Sequence, residues 1–334
     1  MSDPVDVMSF GGGVQSTAVM TLAGEGLIPM PARWVFSDPG FEGSDTYAHL
    51  ERCKEYIAKR GGQLDVVSAG NIETEVIEFA RRRANSEVKR YASIPLFVTN
   101  PDGSEGIMPR QCTTEYKIEP IERYHRREVL GLKPRQRAPK VPAVCVWIGI
   151  SADEERRATP PGRWRTERAE VGTDLLGEPA TVERRVWEPV PWQVKAFPLL
   201  GYVIHPDRSR VTDDRFAHCS GWDRDDAKDW LAKSWPHPVP RSACICCPYR
   251  GNAEWRAMRE DAPAEFARAA EFERRLQQGL AGHPARRGRG DLAGTPYLHR
   301  TLVPLRMADL DADLADRKGC GGLFSQEPDG ICGV

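Results

Sequence analysis

Short apolar runs alternate with longer stretches of helical periodicity through the first part of the chain. Residues 5–9, 33–37 and 64–68 have the length and composition of strands. Residues 14–22 contain no helix breaker, and residues 44–57 repeat apolar side chains at helical spacing. Strands that alternate with helices are typical of βαβ units. The pattern therefore predicts an α/β fold, with a mostly parallel twisted sheet that carries helices on both faces.

The composition of the chain changes in its second half. Residues 143–150 are apolar throughout and predict a central buried strand, whereas residues 158–190 are rich in Arg, Pro and Gly and predict a surface insertion with a hairpin at Val182 to Val190. We therefore expect a nucleotide-binding α/β domain over residues 1–235, with an insertion near 158–190. Residues 236–334 are expected to hold a Cys-x-x-Cys loop, a helical C-terminal region and a flexible tail that contains a cysteine.

Composition narrows the class of function. The chain has 334 residues, and its 47 Lys and Arg against 48 Asp and Glu give a net charge of −1, which does not by itself demand a nucleic-acid partner. The N-terminus lacks the segments of a signal peptide and no run reaches membrane-spanning length, which predicts a cytoplasmic protein with no membrane partner. Nine cysteines in a reducing compartment favour metal or redox chemistry over a disulfide framework.

A glycine-rich loop near the N-terminus has the character of an anion site. Gly11, Gly12 and Gly13 lie between the first predicted strand and the first predicted helix. Glycines there let the backbone approach a ligand closely, and the start of a helix attracts phosphate. The hydroxyls of Ser16 and Thr17 would add donors to the same oxygens. The alternative is a glycine-rich turn that binds no ligand.

Charged residues follow two other predicted strands. Asp38 ends the second strand, and Asp153 and Glu154 come just after the apolar strand of residues 143–150. Because ligands of parallel sheets bind beyond the carboxyl ends of the strands, we expect these side chains on the same rim as the glycine loop. For Asp38, a role in a turn or a cap is the alternative.

Five cysteines carry the remaining chemistry. Cys244 and Cys247 have the Cys-x-x-Cys spacing that lets two thiolates on one turn bind the same metal or cluster. Cys112 begins a predicted helix and is the candidate third ligand, while Cys246 is left open as a fourth. A structural zinc site and a redox-active pair are the alternatives. Cys332 lies between glycines near the chain end, so its thiol is expected to be mobile.

Two segments resemble a known group of nucleotide enzymes. The stretch from Ser9 to Thr17 resembles the pyrophosphate loop, Ser-x-Gly-Gly-x-Asp-Ser, of the N-type ATP pyrophosphatases and of the phosphoadenosine phosphosulfate (PAPS) reductase family, with Gln15 in place of Asp. Residues 38–46 are similar to the Asp-Thr-Gly-x-Glu-x-x-x-Thr segment of PAPS reductases, with Pro39 in place of Thr. Gln15 thus replaces an acidic partner for magnesium.

Three later segments resemble the same superfamily. Residues 149–157 are similar to Gly-Ile-Arg-x-Asp-Glu-x-x-Arg, with Ser151 where Arg is usual. Residues 112–121 are similar to Cys-Cys-x-x-Arg-Lys-Val-x-Pro-Leu of the iron–sulfur adenylylsulfate (APS) reductases, with Lys117 in register and Thr113 in place of the second Cys. The later Cys-x-x-Cys matches the second half of that cluster motif. Because the segments run in the family's order, the chain is identified as a member of the PAPS reductase-like, adenine nucleotide α-hydrolase-like superfamily, in its iron–sulfur branch.

The resemblance implies site residues and cofactors. It implies a [4Fe-4S] cluster with one open iron on Cys112, Cys244 and Cys247, and binding of ATP, or of PAPS or APS, with Mg²⁺. The implied nucleotide-binding residues are Ser9, Gly11, Gly12, Gly13, Gln15, Ser16, Thr17 and Asp38. The implied catalytic residues are Lys117, Asp153, Glu154, Arg157 and Cys332.

Three functions are left open by the sequence. The first is an ATP-dependent sulfur transferase akin to the DNA-phosphorothioation ATPase and the tRNA thiolases, in which an acceptor oxygen is adenylated and cluster-bound sulfide displaces AMP. The second is a sulfonucleotide reductase in which Cys332 attacks the sulfate sulfur. The third is a non-catalytic nucleotide-binding module with a structural zinc. The expected partners are an adenine nucleotide, nucleic acid as a candidate sulfur acceptor, and a sulfur donor or reductant protein, and a homodimer is left open.

Overall fold

The computed structural model describes residues 3–84, 94–100, 102–108, 110–173, 179–280 and 294–312. The strands are β1 (Val5–Ser9), β2 (Arg33–Asp38), β3 (Leu64–Ser68), β4 (Phe97–Thr99), β5 (Glu105–Ile107), β6 (Val144–Ile148), β7 (Gly162–Thr173), β8 (Pro179–Pro189), β9 (Gln193–Phe197), β10 (Tyr202–Ile204), β11 (Arg210–Thr212) and β12 (Thr295–Tyr297). The α-helices are α1 (Val14–Gly24), α2 (Ser44–Ala58), α3 (Ile72–Ala84), α4 (Glu119–Tyr124), α5 (Arg224–Ser234), α6 (Asn252–Asp261) and α7 (Pro263–Leu280).

A seven-stranded sheet forms the centre of the molecule, with the strand order β11-β10-β9-β6-β1-β2-β3. The five strands from β9 to β3 run parallel, and β10 and β11 add an antiparallel edge. The predicted α/β fold with a mostly parallel sheet is therefore confirmed. None of the helices in the described ranges combines the length and apolar character needed to cross a membrane.

Alternating side chains of the strands explain why helices cover both faces. Met8 of β1 packs with residues of α1, α2 and α5 in one apolar cluster. Its neighbour Val7 points to the other face and packs with Ile121 and Tyr124 of α4. Because β6 is buried over its whole length, it has apolar residues at every position.

The order of the strands places one point of the sheet where a ligand is expected. From β1 the chain continues to β2 on one side, whereas β6 pairs with β1 on the other side, with Ser9 opposite Ile148. The carboxyl ends of β1 and β6 are therefore adjacent where the strand order reverses. In open parallel sheets this reversal point is the usual ligand crevice.

The C-terminal helices form a separate layer. Trp255 of α6 and Phe272 and Leu276 of α7 pack with Ile72 and Val76 of α3 in a second apolar cluster. A small sheet of β12, β4 and β5 borders this layer. The layer supports the Cys-x-x-Cys segment, because Cys246 belongs to the same cluster.

The predicted hairpin at Val182 to Val190 is only part of a longer one. β7 and β8 pair antiparallel as a ribbon of their own, from Gly162 opposite Pro189 to Thr173 opposite Pro179. Most described side chains of both strands are exposed or half-exposed. Because neither face of β7 is buried, its sequence lacks the apolar alternation by which a strand is recognised.

Candidate functional site: a glycine-loop cleft beside a cysteine pocket

The glycine loop has a backbone conformation that requires glycine. Gly12 has a φ of +72°, in the left-handed region that residues with a side chain rarely adopt. A Cβ atom there would lie 3.5 Å from Phe36 and 3.8 Å from Ser242 Oγ. The loop therefore runs close to β2 on one side and to residues just before the Cys-x-x-Cys turn on the other.

The hydroxyls of two α1 residues form hydrogen bonds with the backbone at the start of the same helix. Ser16 Oγ accepts from Gly13 N at 3.1 Å, and Thr17 Oγ1 donates to Gly13 O at 2.8 Å. Thr17 is fully buried, and its hydroxyl also contacts His49 Nε2 at 3.0 Å. The first N–H groups of a helix have no intrahelical acceptor, so the backbone amides of this helix start are the natural anion donors.

Two buried serines flank the loop with unused hydroxyls. Ser9 and Ser242 are 2% and 5% exposed, and neither Oγ has a hydrogen-bond partner among the described residues. Ser242 also lines the cleft beside the loop. A buried hydroxyl without a partner is unfavourable, so a ligand with oxygen atoms at this position would satisfy it.

The end of β6 closes on the start of α1 at Gly149. A Cβ atom at this position would lie 3.0 Å from Ser16 N and 3.2 Å from the carbonyl carbon of Gln15, both of which are backbone atoms. Only a glycine lets the two elements approach this closely.

We expect Gly149→Ala to lower the free energy of unfolding by about 1–3 kcal/mol, because the added methyl pushes the helix start away from β6. Denaturant unfolding followed by tryptophan fluorescence measures the change. Gly13→Ala is the matched control for stability, since a Cβ atom there meets nothing within 4 Å. Equal stabilities of the two variants would show that the close approach is not a constraint.

Two of the residues that depart from the motifs, Gln15 and Ser151, lie close together. Gln15 Nε2 lies 3.3 Å from Ser151 Oγ and 3.3 Å from Glu154 Oε2. Glu154 also accepts from Arg157 Nη1 at 2.6 Å. Burial raises the pKa of Glu154, and the nearby Arg157 opposes this shift. A neutral amide and a hydroxyl thus link the glycine loop to the charged segment after β6.

The cleft beside the loop is rich in guanidinium groups. It opens onto about 410 Å³ of empty space and is lined by Arg157, Arg224 and Arg241 together with Gln15 and Glu154. Within the cleft Arg157 pairs with Glu154, and Arg241 pairs with Glu254. Guanidinium groups are suited to binding a polyanion such as a triphosphate, which would share them with these carboxylates. Arg224 and Arg241 lie in no recognised motif, so the sequence did not indicate them.

Asp153 and Asp38 serve as structural acceptors in this structure. Asp153 is exposed, and its Oδ1 accepts from the backbone N of Arg224 at 3.1 Å, at the start of α5. Asp38 Oδ1 accepts from Gly40 N at 2.7 Å and from the Tyr47 hydroxyl at 2.9 Å. Burial and the hydrogen bond to Asp38 raise the pKa of Tyr47. Asp38 lies on the same rim as the glycine loop, and its carboxylate holds the turn that follows β2.

The cysteines of the two motifs meet in one pocket. Cys112, Cys244 and Cys247 line a pocket that opens onto about 440 Å³ of empty space. Cys246 lines it as well but is fully buried, and burial raises the pKa of its thiol with a further contribution from Cys112. None of these four cysteines forms a disulfide bond with another described residue. The structure therefore brings together the residues that the sequence assigned to one metal site.

A tight turn fixes the Cys-x-x-Cys segment. Cys247 N donates to Cys244 O at 3.0 Å, and the guanidinium of Arg250 donates to Cys244 O at 3.2 Å. The backbone of Cys244 also bridges to Glu42 in the loop after β2. The two thiols of the turn are thereby held against the rim of the sheet.

A buried ion pair adjoins the cysteine pocket. Lys117 lies in a π-helical turn (Thr114–Ile118) and its Nζ is 3.3 Å from Glu42 Oε1, with both side chains at least nine-tenths buried. The Cys244 thiol is 3.9 Å from the same oxygen. π-Helical turns are frequent at functional sites. Lys117 therefore lies at the cysteine pocket, whereas Glu154 and Arg157 lie at the glycine-loop cleft.

The cleft and the pocket are neighbours along one short segment. Ser242 lines the cleft and Cys244 lines the pocket. Two residues of extended chain span at most about 7 Å, so the two regions are adjacent.

In the described ranges, no group of three His, Cys, Asp or Glu side chains is arranged to hold a single metal ion. Cys332 lies outside the described residues.

Compared with models of protein families, with curated proteins and with solved structures, the chain gives no match. The functional interpretation therefore depends on the motifs and on the geometry of the two adjoining sites.

Proposed function

We propose that the protein is an iron–sulfur, ATP-dependent sulfur transferase of the PAPS reductase-like superfamily. In this proposal, an oxygen of the acceptor attacks the α-phosphorus of ATP and pyrophosphate leaves. Sulfide then displaces AMP, so that the bond from the acceptor to the AMP oxygen breaks as the bond to sulfur forms. The observation that carries the proposal is the adjacency of an anion cleft at Ser242 and a thiol pocket at Cys244. A nucleotide and a sulfur-bearing group would then lie side by side.

The chemistry of the glycine-loop cleft suits a pyrophosphate group. The amides at the start of α1 and the unpartnered hydroxyls of Ser9 and Ser242 are donors for phosphate oxygens. Arg157, Arg224 and Arg241 would neutralise the phosphates, and Glu154 would hold Arg157 in place through its 2.6 Å contact. Because the side chain of Gln15 is neutral, Glu154, whose Oε2 lies 3.3 Å from Gln15 Nε2, is the carboxylate of the cleft lining that would bind Mg²⁺.

The chemistry of the cysteine pocket suits an iron–sulfur cluster. Thiolate ligands select iron–sulfur clusters, zinc and copper(I), and Cys112, Cys244 and Cys247 bring three thiols from two separate segments. The walls are otherwise largely apolar, with Pro39, Ile72 and Pro248 among them. When bound, a [4Fe-4S] cluster would supply the sulfur chemistry of the reaction. Lys117 would contribute positive charge beside the thiolates.

The decisive experiment measures metal content and nucleotide products on the same preparation. The protein is purified without oxygen, and iron, acid-labile sulfide and zinc are determined together with the visible spectrum. We expect iron and sulfide with broad visible absorption, and conversion of ATP to AMP and pyrophosphate. Cys112→Ser, Cys244→Ser and Cys247→Ser are each expected to lose most of the iron.

Cys219→Ser is the matched control for these substitutions. Cys219 is a fully buried thiol that donates to Pro198 O at 3.4 Å, a bond that a serine hydroxyl also makes. We expect this variant to keep its iron. Stoichiometric zinc without iron, or iron that survives Cys112→Ser, would refute the cluster. Thioredoxin-dependent release of sulfite from PAPS, in place of AMP formation from ATP, would assign the protein to the reductases.

A further inference from the structure

The β7–β8 ribbon begins near the border of the glycine-loop cleft. Arg157 lines the cleft, and β7 begins five residues later at Gly162, a span of at most about 18 Å. Eleven paired positions give the ribbon a length of about 35 Å. The ribbon is thus long enough to hold part of a large substrate while another part occupies the cleft.

The ribbon is held by pairs across its two strands. Three ion pairs join residues that are directly opposite in the register, with N to O distances of 3.2, 3.9 and 2.6 Å: Arg163 with Glu188, Arg168 with Glu183, and Arg184 with Glu167. These pairs include all three ribbon glutamates whose side chains are described. Among the ribbon residues whose side chains are described, each glutamate thus has an arginine directly opposite it.

A row of arginine and tryptophan side chains lies along one face of the ribbon, and its last member, Arg208, comes from the turn between β10 and β11. Arg185 lies 5.2 Å from the ring of Trp164, the two rings of Trp164 and Trp187 are 5.3 Å apart, and Arg208 lies 5.6 Å from the ring of Trp187. Trp164 is 54% exposed. No carboxylate among the described residues pairs with Arg185 or Arg208. A tryptophan pair stabilises a hairpin, but a half-exposed ring between unpaired cations also offers a surface for stacking.

We propose that this face binds an unpaired stretch of nucleic acid, with a base stacked on Trp164 and phosphates at Arg185 and Arg208. Unpaired bases stack on aromatic and guanidinium planes, whereas phosphates pair with arginine. The role of this stretch as sulfur acceptor rests on the proposed function, whereas its binding does not. The ribbon would then present the acceptor to the cleft that holds the nucleotide.

The test measures binding of fluorescently labelled single-stranded RNA, single-stranded DNA and a duplex to the full-length protein at several salt concentrations. We expect the single strands to bind more tightly than the duplex, and the RNA and DNA arms identify the natural class. Trp164→Ala should weaken binding about tenfold. The double variant Arg185→Gln and Arg208→Gln should reduce the slope of log affinity against log salt by about two.

Arg184→Gln is the matched control, because Arg184 belongs to the opposite face and pairs with Glu167. It is expected to retain the wild-type affinity. The double arginine variant keeps the tryptophan pair, so it tests the proposal even if Trp164→Ala unfolds the ribbon. The proposal would be overturned if the double variant kept its affinity or if the protein preferred the duplex. It would also be overturned if the protein bound no oligonucleotide and instead self-associated through Trp164, so that Trp164→Ala abolished the self-association. Normal iron and AMP formation with such a result would leave the proposed function intact.

Discussion

Lys117→Met is expected to lower the free energy of unfolding by about 3–5 kcal/mol, because it leaves the Glu42 carboxylate buried without its ammonium partner. Lys117 Nζ lies 3.3 Å from Glu42 Oε1, and the two side chains are 9% and 0% exposed. A buried carboxylate that loses a cationic partner loses much of what offsets its cost of desolvation. Denaturant unfolding at pH 7, followed by tryptophan fluorescence, measures the loss.

Two further variants separate the buried pair from a general effect of removing a lysine. Lys54→Met removes a lysine from a solvent-accessible pair with Glu51, where the two side chains are 33% and 66% exposed, and should cost less than about 1 kcal/mol. The double variant Lys117→Met and Glu42→Gln removes both charges and should recover much of the loss. If Lys117→Met were no more destabilising than Lys54→Met, the pair would not be a buried interaction in solution.

The same pair connects stability to the cysteine pocket. The Glu42 carboxylate forms an ion pair with Lys117, and the Glu42 backbone forms a β-bridge with that of Cys244. Movement of the Glu42 loop would therefore move one of the proposed cluster ligands. We infer that Lys117 acts mainly by fixing the position of this loop against the pocket.

Much of the rim could be predicted from the sequence because topology leaves little choice. Once β1, β2 and β6 are recognised as parallel neighbours, their carboxyl ends must lie along one edge. The glycine loop follows β1 directly, Asp38 is the last residue of β2, and Glu154 lies in the short turn after β6. Their approximate positions thus follow from the strand assignment without any knowledge of side-chain contacts.

The contacts across the site could not be predicted in this way. Gln15 and Ser151 are 136 residues apart in the sequence, where each is an isolated departure from a motif. Only the pairing of β1 with β6 shows that the two side chains are neighbours. Arg241 and Ser242 lie in a loop whose path depends on the packing of the C-terminal layer. Local sequence carries no signal for a path that distant packing determines.

Acidification from pH 7 to pH 5.5 is expected to destabilise the fold through three buried histidines, by about 1 kcal/mol each. Burial lowers the pKa of His49 to about 4, of His125 to about 3 and of His299 to about 4, from an ordinary value of 6.5. The unfolded chain therefore takes up protons near pH 6.5, where the folded protein still holds neutral rings. This contribution to stability is complete well above pH 6.5 and is lost as the pH falls toward 4.

Replacing one of these histidines separates its contribution to the pH dependence of stability from that of the buried glutamates. Burial raises the pKa of Glu122, Glu154 and Glu273, and groups shifted upward stabilise the fold at low pH, which opposes the histidines. His125→Gln should reduce the loss of stability between pH 7 and pH 5.5 by about 1 kcal/mol relative to the wild type. His218→Gln, at an exposed histidine, should leave the loss unchanged. Identical pH dependence for wild type and His125→Gln would mean that His125 is accessible to protons in the folded state.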